Sequence, residues 1–432
     1  MRKKFVSVSL AMALCAGILA GCRSTDNGAA AGTVAPASEA ATGQTAGEAD
    51  TTEASGRTPI SAADVKVGII YIGDENEGYT AAHMAGIDAM QKELGISDDQ
   101  VIEMTGIPED ESSYDAVTDL VGQGCNIVFA NSFGQEDFVL QAAKEHPEVE
   151  FCHATGYQAK LSGLPNMHNY FTAVYESRYV SGVVAGMKLN EMIADGTITE
   201  DEAKLGYVGA YPYAEVISGF TSFFLGVRSQ CPSATMEVKY TNSWSDMAAE
   251  NATASELISD GCVLISQHAD TTGAPAACEK AGVYCVGYNI DMIPTAPNEA
   301  LTSASIDWGP YYTYAVRCLI DGAPIATDWC QGFNDGAVKI TALNDAIVAE
   351  GTEEKVKEAE DGISNGTLHV FDTSTFTVGG KSLEDQIADG GDYAKYANYV
   401  SDGYFHESDA AEHGCSPAFD IIIDGIDSIT EQ

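Results

Sequence analysis

Short apolar runs alternate along most of the chain with longer stretches in which apolar residues recur at helical spacing. The first apolar run, at 65–71, is followed by a polar loop and by a predicted helix at 79–94 that ends at Gly95. Further strands are predicted at 126–130, 149–154, 205–209, 236–240, 263–266, 283–287 and 301–306. Alternation of this kind predicts an α/β fold with parallel sheets that helices cover on both faces.

Part of this pattern occurs twice. The stretches 120–152 and 257–285 each read as a helix end, a Gly-Cys pair, a strand, a polar loop, a helix and another strand. We therefore predict two Rossmann-like lobes with parallel sheets joined by a hinge. Chance similarity between two βαβ units is the alternative explanation.

The repeat also sets the predicted boundaries. The first lobe is assigned residues 63–170 and 298–332, and the second lobe residues 171–297 and 333–372. The chain is expected to cross between the lobes near 156–175, 292–301 and 331–336. Residues 373–432 form a C-terminal extension that packs across the second lobe or makes a small addition.

The N-terminus has the pattern of an export signal. Three basic residues, Arg2-Lys3-Lys4, precede an apolar run that is short for a membrane span. The following Leu19-Ala20-Gly21-Cys22 resembles the signal box of bacterial lipoproteins, which implies a cleaved signal peptide at 1–21 and a lipid on Cys22. An ordinary signal peptide with an incidental cysteine is the alternative. Residues 22–62 are then a flexible, acidic Ala/Gly/Ser/Thr linker, and the protein is anchored to the cell membrane outside the cytoplasm.

The acidic composition narrows the choice of partners. Among 432 residues, 64 are Asp or Glu and 21 are Lys or Arg, which gives a formal net charge of −43. Nucleic acid and anionic lipid surfaces are disfavoured as partners, because they require clustered cations. The 11 cysteines include no Cys-x-x-Cys pair, and several lie in apolar runs, so they are interpreted as core residues rather than zinc ligands.

Polar and aromatic residues follow the predicted strands at the ends where parallel sheets bind ligands. These loops contain Asp74, Ser132-Phe133-Gly134, Trp244, Gln267-His268 and Asp291. They are rich in rings, amides and carboxylates and poor in Lys and Arg. Rings stack on a flat ligand, while carboxylates and amides bond to its N–H groups and ring nitrogens. The loops therefore predict a small, neutral, planar ligand.

Several short motifs occur in a fixed order. They are Gly78-Tyr79-Thr80, Pro108-Glu109-Asp110, Ser132-Phe133-Gly134, Gln267-His268-Ala269-Asp270 and Trp308-Gly309. With these motifs the chain resembles, over residues 65–372, the basic membrane protein family of exported lipoproteins, of the purine-nucleoside receptor type. The resemblance implies a type I periplasmic-binding-protein fold and a role as the substrate-binding component of an ABC importer.

The resemblance also implies roles for single residues. Tyr79 matches the family's ring-stacking aromatic, and Thr80 stands at the polar position beside it. Asp110 falls near the acid that contacts the base, and Ser132-Phe133-Gly134 lines the base. Asp291 matches the sugar-binding acid. A helix-capping role is the alternative for the two aspartates.

This sequence departs from the family at the sugar end of the site. The basic residue that relatives often place after the Leu301-Thr302-Ser303 strand is absent, and Trp308 stands shortly beyond. The resemblance is therefore to a branch associated with nucleobases or other small planar ligands. Trp244 and Trp308 are candidate covers for the ring, with packing between the lobes as the alternative, and Gln267 and His268 are candidate polar contacts.

No motif supports catalysis. Gly379-Gly380-Lys381-Ser382 imitates the end of a phosphate-binding loop but lacks the first glycine, and the acids at 74–77 lack calcium-loop spacing. We expect a protein that is not an enzyme and that needs no cofactor and no metal.

The sequence predicts a lipid-anchored solute-binding protein that captures a purine-type nucleobase or nucleoside by lobe closure. Its partners would be this small planar ligand and an ABC permease, with the lipid anchor holding the protein at the membrane. The alternatives are a ligand-sensing surface receptor, a binding protein for another small solute such as a sugar, and an exported nucleoside hydrolase.

Overall fold

The computed structural model describes residues 57–409 and 413–429. Its strands, in chain order, are β1 (Val67–Ile70), β2 (Val101–Met104), β3 (Ile127–Ala130), β4 (Glu150–Ala154), β5 (Met167–Thr172), β6 (Lys204–Gly209), β7 (Thr235–Tyr240), β8 (Leu264–His268), β9 (Tyr284–Tyr288), β10 (Ala300–Ile306), β11 (Asp328–Gln331), β12 (Val338–Ile340), β13 (Val400–Ser401), β14 (Tyr404–Phe405) and β15 (Ile426–Ile429).

The helices lie between these strands. They are α1 (Gly78–Leu94), α2 (Glu111–Gly122), α3 (Glu136–Glu145), α4 (Gln158–Ser162), α5 (Val174–Ala194), α6 (Ala214–Gln230), α7 (Met247–Ser259), α8 (Gly273–Ala281), α9 (Gly309–Asp321), α10 (Thr352–Ser364) and α11 (Leu383–Asp389). Every strand predicted above is present within two residues of its expected ends, so the α/β prediction is confirmed.

The strands form two large sheets. In the first sheet the order is β11-β5-β4-β3-β1-β2, and the neighbouring strands run parallel. In the second sheet the order is β12-β10-β9-β8-β6-β7-β15, with β12 antiparallel to β10 and the other neighbours parallel. Parallel strands point their carboxyl ends to one edge, so each lobe presents one loop-lined edge for binding.

Local sequence explains where α1 lies. Glu77 precedes the helix in an extended conformation, and its carboxylate accepts hydrogen bonds from the backbone N–H groups of Tyr79 and Thr80. Gly95 follows the helix at φ 69°, the left-handed conformation that ends helices. The cap fixes the first turn of α1 beside the carboxyl end of β1, which places Tyr79 at the binding edge.

The second lobe depends on a close contact between α5 and α6. A Cβ atom on Gly182 would stand 2.1 Å from the carbonyl oxygen of Phe223, and one on Gly226 would stand 2.0 Å from that of Tyr179. Only glycine permits this separation of the two backbones. The core around this contact is apolar and includes Val180, Phe220 and Phe224.

The lobe boundary differs from the predicted one at a single strand. Residues 298–332 were assigned to the first lobe, but β10 (Ala300–Ile306) pairs with β9 and β12 in the second sheet. The chain returns to the first lobe after β10, where α9 packs against α1, and β11 joins the edge of the first sheet. The crossing therefore lies between β10 and α9 rather than near 292–301.

The C-terminal extension packs on both lobes. Its strand β15 pairs with β7, and Phe405, Phe419 and Ile421 are buried in the core of the second lobe. Between these residues, Cys415 is 1% exposed and lies in the core of the first lobe. Of the two arrangements left open by the sequence, packing across the second lobe is the one found, with an added contact to the first lobe.

The signal peptide at 1–21, the lipidation candidate Cys22 and most of the predicted linker lie outside the described residues. At the linker's end, Arg57 forms an ion pair with Glu150 at 2.6 Å, and the Ile60 N–H donates to the carbonyl of Leu319. Within the described ranges no helix is long and apolar enough to cross a membrane. The nine cysteines described are all unpaired thiols.

Candidate functional site

A pocket lies where the carboxyl ends of the two sheets face each other. It comprises about 380 Å³ of space that protein atoms do not fill, part of which is open to solvent. We call it the inner pocket, and its lining residues are Ile72, Tyr79, Asn131, Ser132, Phe133, Thr155, Glu215, Trp244, His268, Asp270 and Tyr288. Both lobes contribute walls, so closure of the lobes completes the pocket.

Tyr79 forms a wall from the first lobe. It is 8% exposed, and its hydroxyl donates to the backbone carbonyl of Asn131 at 2.6 Å. Its ring meets His83 edge-on, with 4.5 Å between the centroids. The side chain is therefore fixed in position before any ligand arrives.

The turn after β3 supplies a second wall from the first lobe. Ser132 and Phe133 line the inner pocket, and Phe133 remains 42% exposed. Glu109 holds this turn, because its Oε1 accepts hydrogen bonds from Ser132 Oγ at 2.6 Å and from the Gly134 N–H at 2.7 Å. A Cβ atom on Gly134 would stand 2.8 Å from the Glu109 carboxyl carbon, so a side chain here would displace Glu109 from these hydrogen bonds.

The second lobe supplies Trp244, His268 and Tyr288. Trp244 is half-buried, and its ring centroid lies 6.5 Å from that of His268. Behind them, the buried Arg178 guanidinium stacks on the Tyr288 ring at 3.5 Å and donates to the backbone carbonyl of Gln267 at 2.6 Å. A fixed positive charge thus stands behind this wall of the inner pocket.

Burial shifts the pKa values of three titratable groups of the inner pocket toward the uncharged form. Burial, with the nearby Arg178 charge, lowers the pKa of His268 well below its usual range. Burial raises the pKa of Glu215 to about 7, although Arg178 opposes the shift. Burial also raises the pKa of Asp270, and the neighbouring carboxyls of Glu77 and Glu250 add to that rise. The pocket therefore suits a neutral ligand.

Several polar atoms of the pocket wall have no protein partner within the described residues. They include Asn131 Nδ2, Thr155 Oγ1, Tyr288 Oη and both ring nitrogens of His268. His268 Nε2 lies 3.4 Å from Glu215 Oε1, at a geometry that makes no hydrogen bond. Buried polar groups normally find partners, so a hydrogen-bonding ligand would satisfy them.

Three of the predicted contacts are buried but serve the fold instead. Thr80 Oγ1 accepts from the Gly73 N–H, and the Gln267 amide donates to the carbonyls of Ala269 and Thr271 within its own loop. Trp308 is fully buried and stacks on His83 with 4.1 Å between the ring centroids. None of these three lines the inner pocket, and Trp308 packs in the core of the first lobe and not between the lobes.

Four further predicted contacts lie outside the inner pocket. Asp74 and Asp291 are exposed and accept hydrogen bonds from backbone N–H groups two residues ahead. Asp110 is exposed and caps α2 by accepting a hydrogen bond from the Ser112 N–H, which is the helix-capping role given above as the alternative. Gly134 is half-buried, and its N–H donates to Glu109. Short Asp side chains satisfy their own turns, which removes them from the cleft.

The inner pocket thus brings together five residues singled out from the sequence: Tyr79, Ser132, Phe133, Trp244 and His268. Sequence reasoning missed Ile72, Asn131, Thr155, Glu215, Asp270 and Tyr288 as site residues. The sequence does offer a basis for predicting two of them. Asp270 follows β8 and Tyr288 is the last residue of β9, at the strand ends where parallel sheets bind ligands. Glu215 lies in the first turn of α6, where sequence alone does not show which way a side chain points.

Contacts across the cleft show that the lobes are closed. The Gly78 N–H donates to the carbonyl of Asp270 at 3.0 Å, which joins the start of α1 to the second lobe. At the mouth, the rings of Phe133 and Tyr213 lie 6.1 Å apart. The inner pocket therefore lies between two lobes that are in contact with each other. Among the described residues no group of three or more His, Cys, Asp or Glu could hold a metal ion.

The chain is similar to proteins of a known family. A family model, Bmp, described as ABC transporter substrate-binding protein PnrA-like, matches residues 65–370. A purine-binding protein of Brucella abortus is 33% identical over 331 residues, which cover 74% of this chain and 89% of that protein.

Two further proteins are similar to this chain. A Haloferax volcanii protein, named as a candidate glucose-binding protein of an ABC transporter, is 30% identical over 79% of this chain and 82% of its own length. The solved structure of an ABC transporter solute-binding protein from Aeropyrum pernix aligns with a TM-score of 0.59, at 14% identity, over 75% of this chain and 96% of that one. At this identity the structural match speaks for the fold alone.

Proposed function

Because the chain belongs to the Bmp family of PnrA-like ABC transporter substrate-binding proteins, we propose that its solute is a purine base or nucleoside. Proteins of this family are extracytoplasmic solute-binding proteins. The observation that carries the proposal is the inner pocket, in which aromatic rings from both lobes surround buried polar atoms that lack protein partners. The name of the Brucella abortus relative supports the same ligand class.

Aromatic walls would provide the stacking surface for a purine. Tyr79 and Phe133 approach from the first lobe and Trp244 from the second, and stacked or edge-to-face rings gain about 0.5–1.5 kcal/mol per pair beyond burial. Trp244 is half-buried, so its exposed face is free to meet a ring. A flat heterocycle satisfies such walls better than a non-planar solute does.

Polar groups would then read the edge of the ring. A carboxyl with a pKa of about 7, such as that of Glu215, donates a proton to a ring nitrogen or accepts from a ring N–H according to its charge state. The neutral His268 and the Tyr288 hydroxyl each donate or accept one bond. Such groups recognise any purine with N–H and ring-nitrogen sites.

Lobe closure is the mechanism we propose for capture and delivery. A ligand that contacts Tyr79 in one lobe and His268 in the other favours the closed form over the open form. The ABC permease would recognise that closed form and accept the solute. Lipid attachment at Cys22 would keep the protein within reach of the permease.

A thermal-shift panel tests the proposal. The purified protein is heated with adenine, guanine, hypoxanthine, their nucleosides, and glucose as the alternative solute. Ligand at 100 times its Kd stabilises the native state by about 2.7 kcal/mol, so at least one purine is expected to raise the Tm by several degrees. A shift with glucose and none with any purine would refute the purine assignment.

Glucose or another sugar is the second candidate solute. The Haloferax volcanii relative, at 30% identity, carries a glucose-binding name. The inner pocket favours purine over sugar, because rings dominate its walls and Lys and Arg do not line it. A surface receptor that senses the same purine would show the same binding but would pair with a signalling protein instead of a permease.

We also propose that the protein binds without turning over its solute. Among the lining residues, the Ser132 hydroxyl donates to the Glu109 carboxylate at 2.6 Å, but the same carboxylate oxygen also accepts from the Gly134 N–H, so we assign this pair to holding the turn and not to catalysis. Incubation with adenosine, guanosine or inosine should leave the nucleoside intact when the mixture is separated by liquid chromatography. Release of free base in proportion to protein would identify a hydrolase.

A further inference from the structure

The inner pocket opens into a second, larger space at the mouth of the cleft, which we call the outer compartment. The two spaces share Phe133, Thr155, Glu215 and Trp244 as walls. A ligand held in the inner pocket therefore has room for a substituent that extends into the outer compartment. The matched family region ends at residue 370, whereas Tyr399, His413 and Ser416 of the C-terminal extension form the far wall of this space.

The extension is anchored to the first lobe at this wall. Ser416 Oγ lies 2.9 Å from the carbonyl oxygen of Thr155 and 2.5 Å from that of Gly156, and donates to this pair. The Cys415 N–H donates to Asp328 Oδ1 at 3.3 Å. Because Thr155 also lines the inner pocket, the wall and the pocket are built on the same loop.

Buried hydrogen bonds hold the loop at 155–158 in place. Thr155 has a φ of 64°, which is uncommon for a β-branched residue. The buried Glu136 accepts hydrogen bonds from the backbone N–H groups of Tyr157 and Gln158 and from the Asn169 amide. The wall of the outer compartment is therefore a fixed surface.

The chemistry of the outer compartment suits a sugar ring. Flat faces come from Tyr213, which is 47% exposed, and from the stacked pair of Tyr399 and His413, whose ring centroids are 4.1 Å apart. Thr155 Oγ1 is buried without a partner among the described residues, and the Glu215 carboxyl stands at the same junction. Aromatic faces pack against the C–H faces of a sugar, while a hydroxyl and a carboxyl bond to its hydroxyl groups.

We infer that the outer compartment is a subsite for the glycosyl part of a purine nucleoside, with Tyr399 and His413 of the C-terminal extension as its outer wall. The inference rests on the proposed function, because the inner pocket must hold the purine ring. It assigns to the extension a part in selecting between a free base and its nucleoside.

The test compares each base with its nucleoside by titration calorimetry, using adenine with adenosine and hypoxanthine with inosine. Tyr399→Ala and His413→Ala are the test variants. Tyr404→Ala is the matched control, since Tyr404 belongs to the same extension but stacks on His369 outside the compartment. Loss of one ring contact should weaken nucleoside binding about threefold to tenfold while base binding changes less than twofold.

Each outcome decides the inference. A rise in the ratio of nucleoside Kd to base Kd in either test variant, and not in Tyr404→Ala, supports the subsite. If circular dichroism shows that Tyr399→Ala does not fold, His413→Ala provides the test, because the His413 side chain is only half-buried. Equal effects on base and nucleoside, or nucleosides that do not bind while bases do, would overturn the subsite and leave the purine proposal intact. Failure of bases and nucleosides alike would refute the purine proposal itself.

Discussion

Two tryptophans illustrate how surroundings decide the role of a residue. Trp244 is half-buried at the wall of the inner pocket, near Tyr211 and His268. Trp308 is fully buried and stacks on His83. It also packs closely on Gly86, because a Cβ atom added to Gly86 would stand 2.7 Å from the Cβ of Trp308. The first ring is placed to meet a ligand, and the second fills the core of the first lobe.

This difference predicts opposite effects of substitution. Trp244→Ala should weaken purine binding about tenfold through the loss of one stacking face, with the Tm changed by only about 2 °C. Trp308→Phe should leave purine affinity nearly unchanged but lower the free energy of unfolding by about 1–3 kcal/mol. Calorimetry and urea denaturation measure the two effects. Unchanged affinity in Trp244→Ala would contradict the stacking wall.

Glu407 gives a pH prediction at the same scale. It is 2% exposed, its Oε2 accepts from the backbone N–H groups of Ala418 and Phe419, and burial raises its pKa to about 7. The unfolded chain releases this proton near pH 4.5, so between pH 4.5 and 7 the native state binds more protons than the unfolded state. Its contribution to stability is complete below pH 4.5 and is lost as pH rises through 7.

Glu407→Gln isolates this contribution from the general acidity of the chain. The amide keeps an acceptor for the two N–H groups and cannot ionise. The free energy of unfolding of the wild type should fall between pH 5 and pH 8 by about 1–3 kcal/mol more than that of Glu407→Gln. Urea denaturation at both pH values measures the difference. Parallel curves for the two proteins would show that Glu407 does not hold its proton in the native state.

Single residues also mark the limit of sequence reasoning about the site. Glu109 and Asp110 are adjacent acids after a strand, and the resemblance favours Asp110. In the structure Asp110 caps a helix, while Glu109, with one more methylene, reaches the turn at Ser132. Gln267 ends a strand at the cleft, yet its amide closes its own loop. Residue types predict chemistry, but side-chain direction depends on contacts that lie far apart in the chain.

Among the elements, the loop after β4 is the one on which the cleft and the extension both depend. A Cβ atom on Gly156 would stand 2.2 Å from Asn169 Nδ2 and from Glu136 Oε1. These two side chains hold the loop by hydrogen bonds, so neither can move without leaving a buried polar group unpaired. The loop tolerates no side chain at this position.

Gly156→Ala is therefore expected to destabilise the protein by about 2–4 kcal/mol, because overpacking and broken buried hydrogen bonds add together. Gly122→Ala is the matched control. Gly122 is the last residue of α2, a Cβ atom there meets nothing within 4 Å, and alanine should be neutral or slightly stabilising. Urea denaturation compares the two variants. Equal stability of both would contradict the close contact at Gly156.

The elements themselves are largely predictable from the sequence, and their assembly is less so. Apolar runs bounded by Gly and polar residues locate β1, β3 and β4 and the repeated units of both lobes. The short or partly polar strands β2 and β15 escape the pattern because their edge positions bury less of each strand. The apolar pattern locates the strand at 300–306 but predicts the wrong lobe for it, since strand pairing depends on residues far away in sequence.

At the scale of the whole molecule, the chain crosses between the lobes near β5, β10 and β11, and the extension connects the lobes once more. It contributes Phe419 and Ile421 to the core of the second lobe and Cys415 to that of the first. Any opening of the cleft must move or release the contact at Ser416. The extension thereby links the ligand cleft to the lobe motion that a permease would sense.

We propose that the two lobes close on a purine ring. A crystal structure of the protein with the purine that gives the largest thermal shift tests it most directly. We expect the ring in the inner pocket, against Tyr79 and Trp244, with Glu215, His268 or Asp270 within hydrogen-bond distance of its edge. A ring bound elsewhere, or a sugar in the inner pocket in its place, would contradict closure of the lobes on a purine.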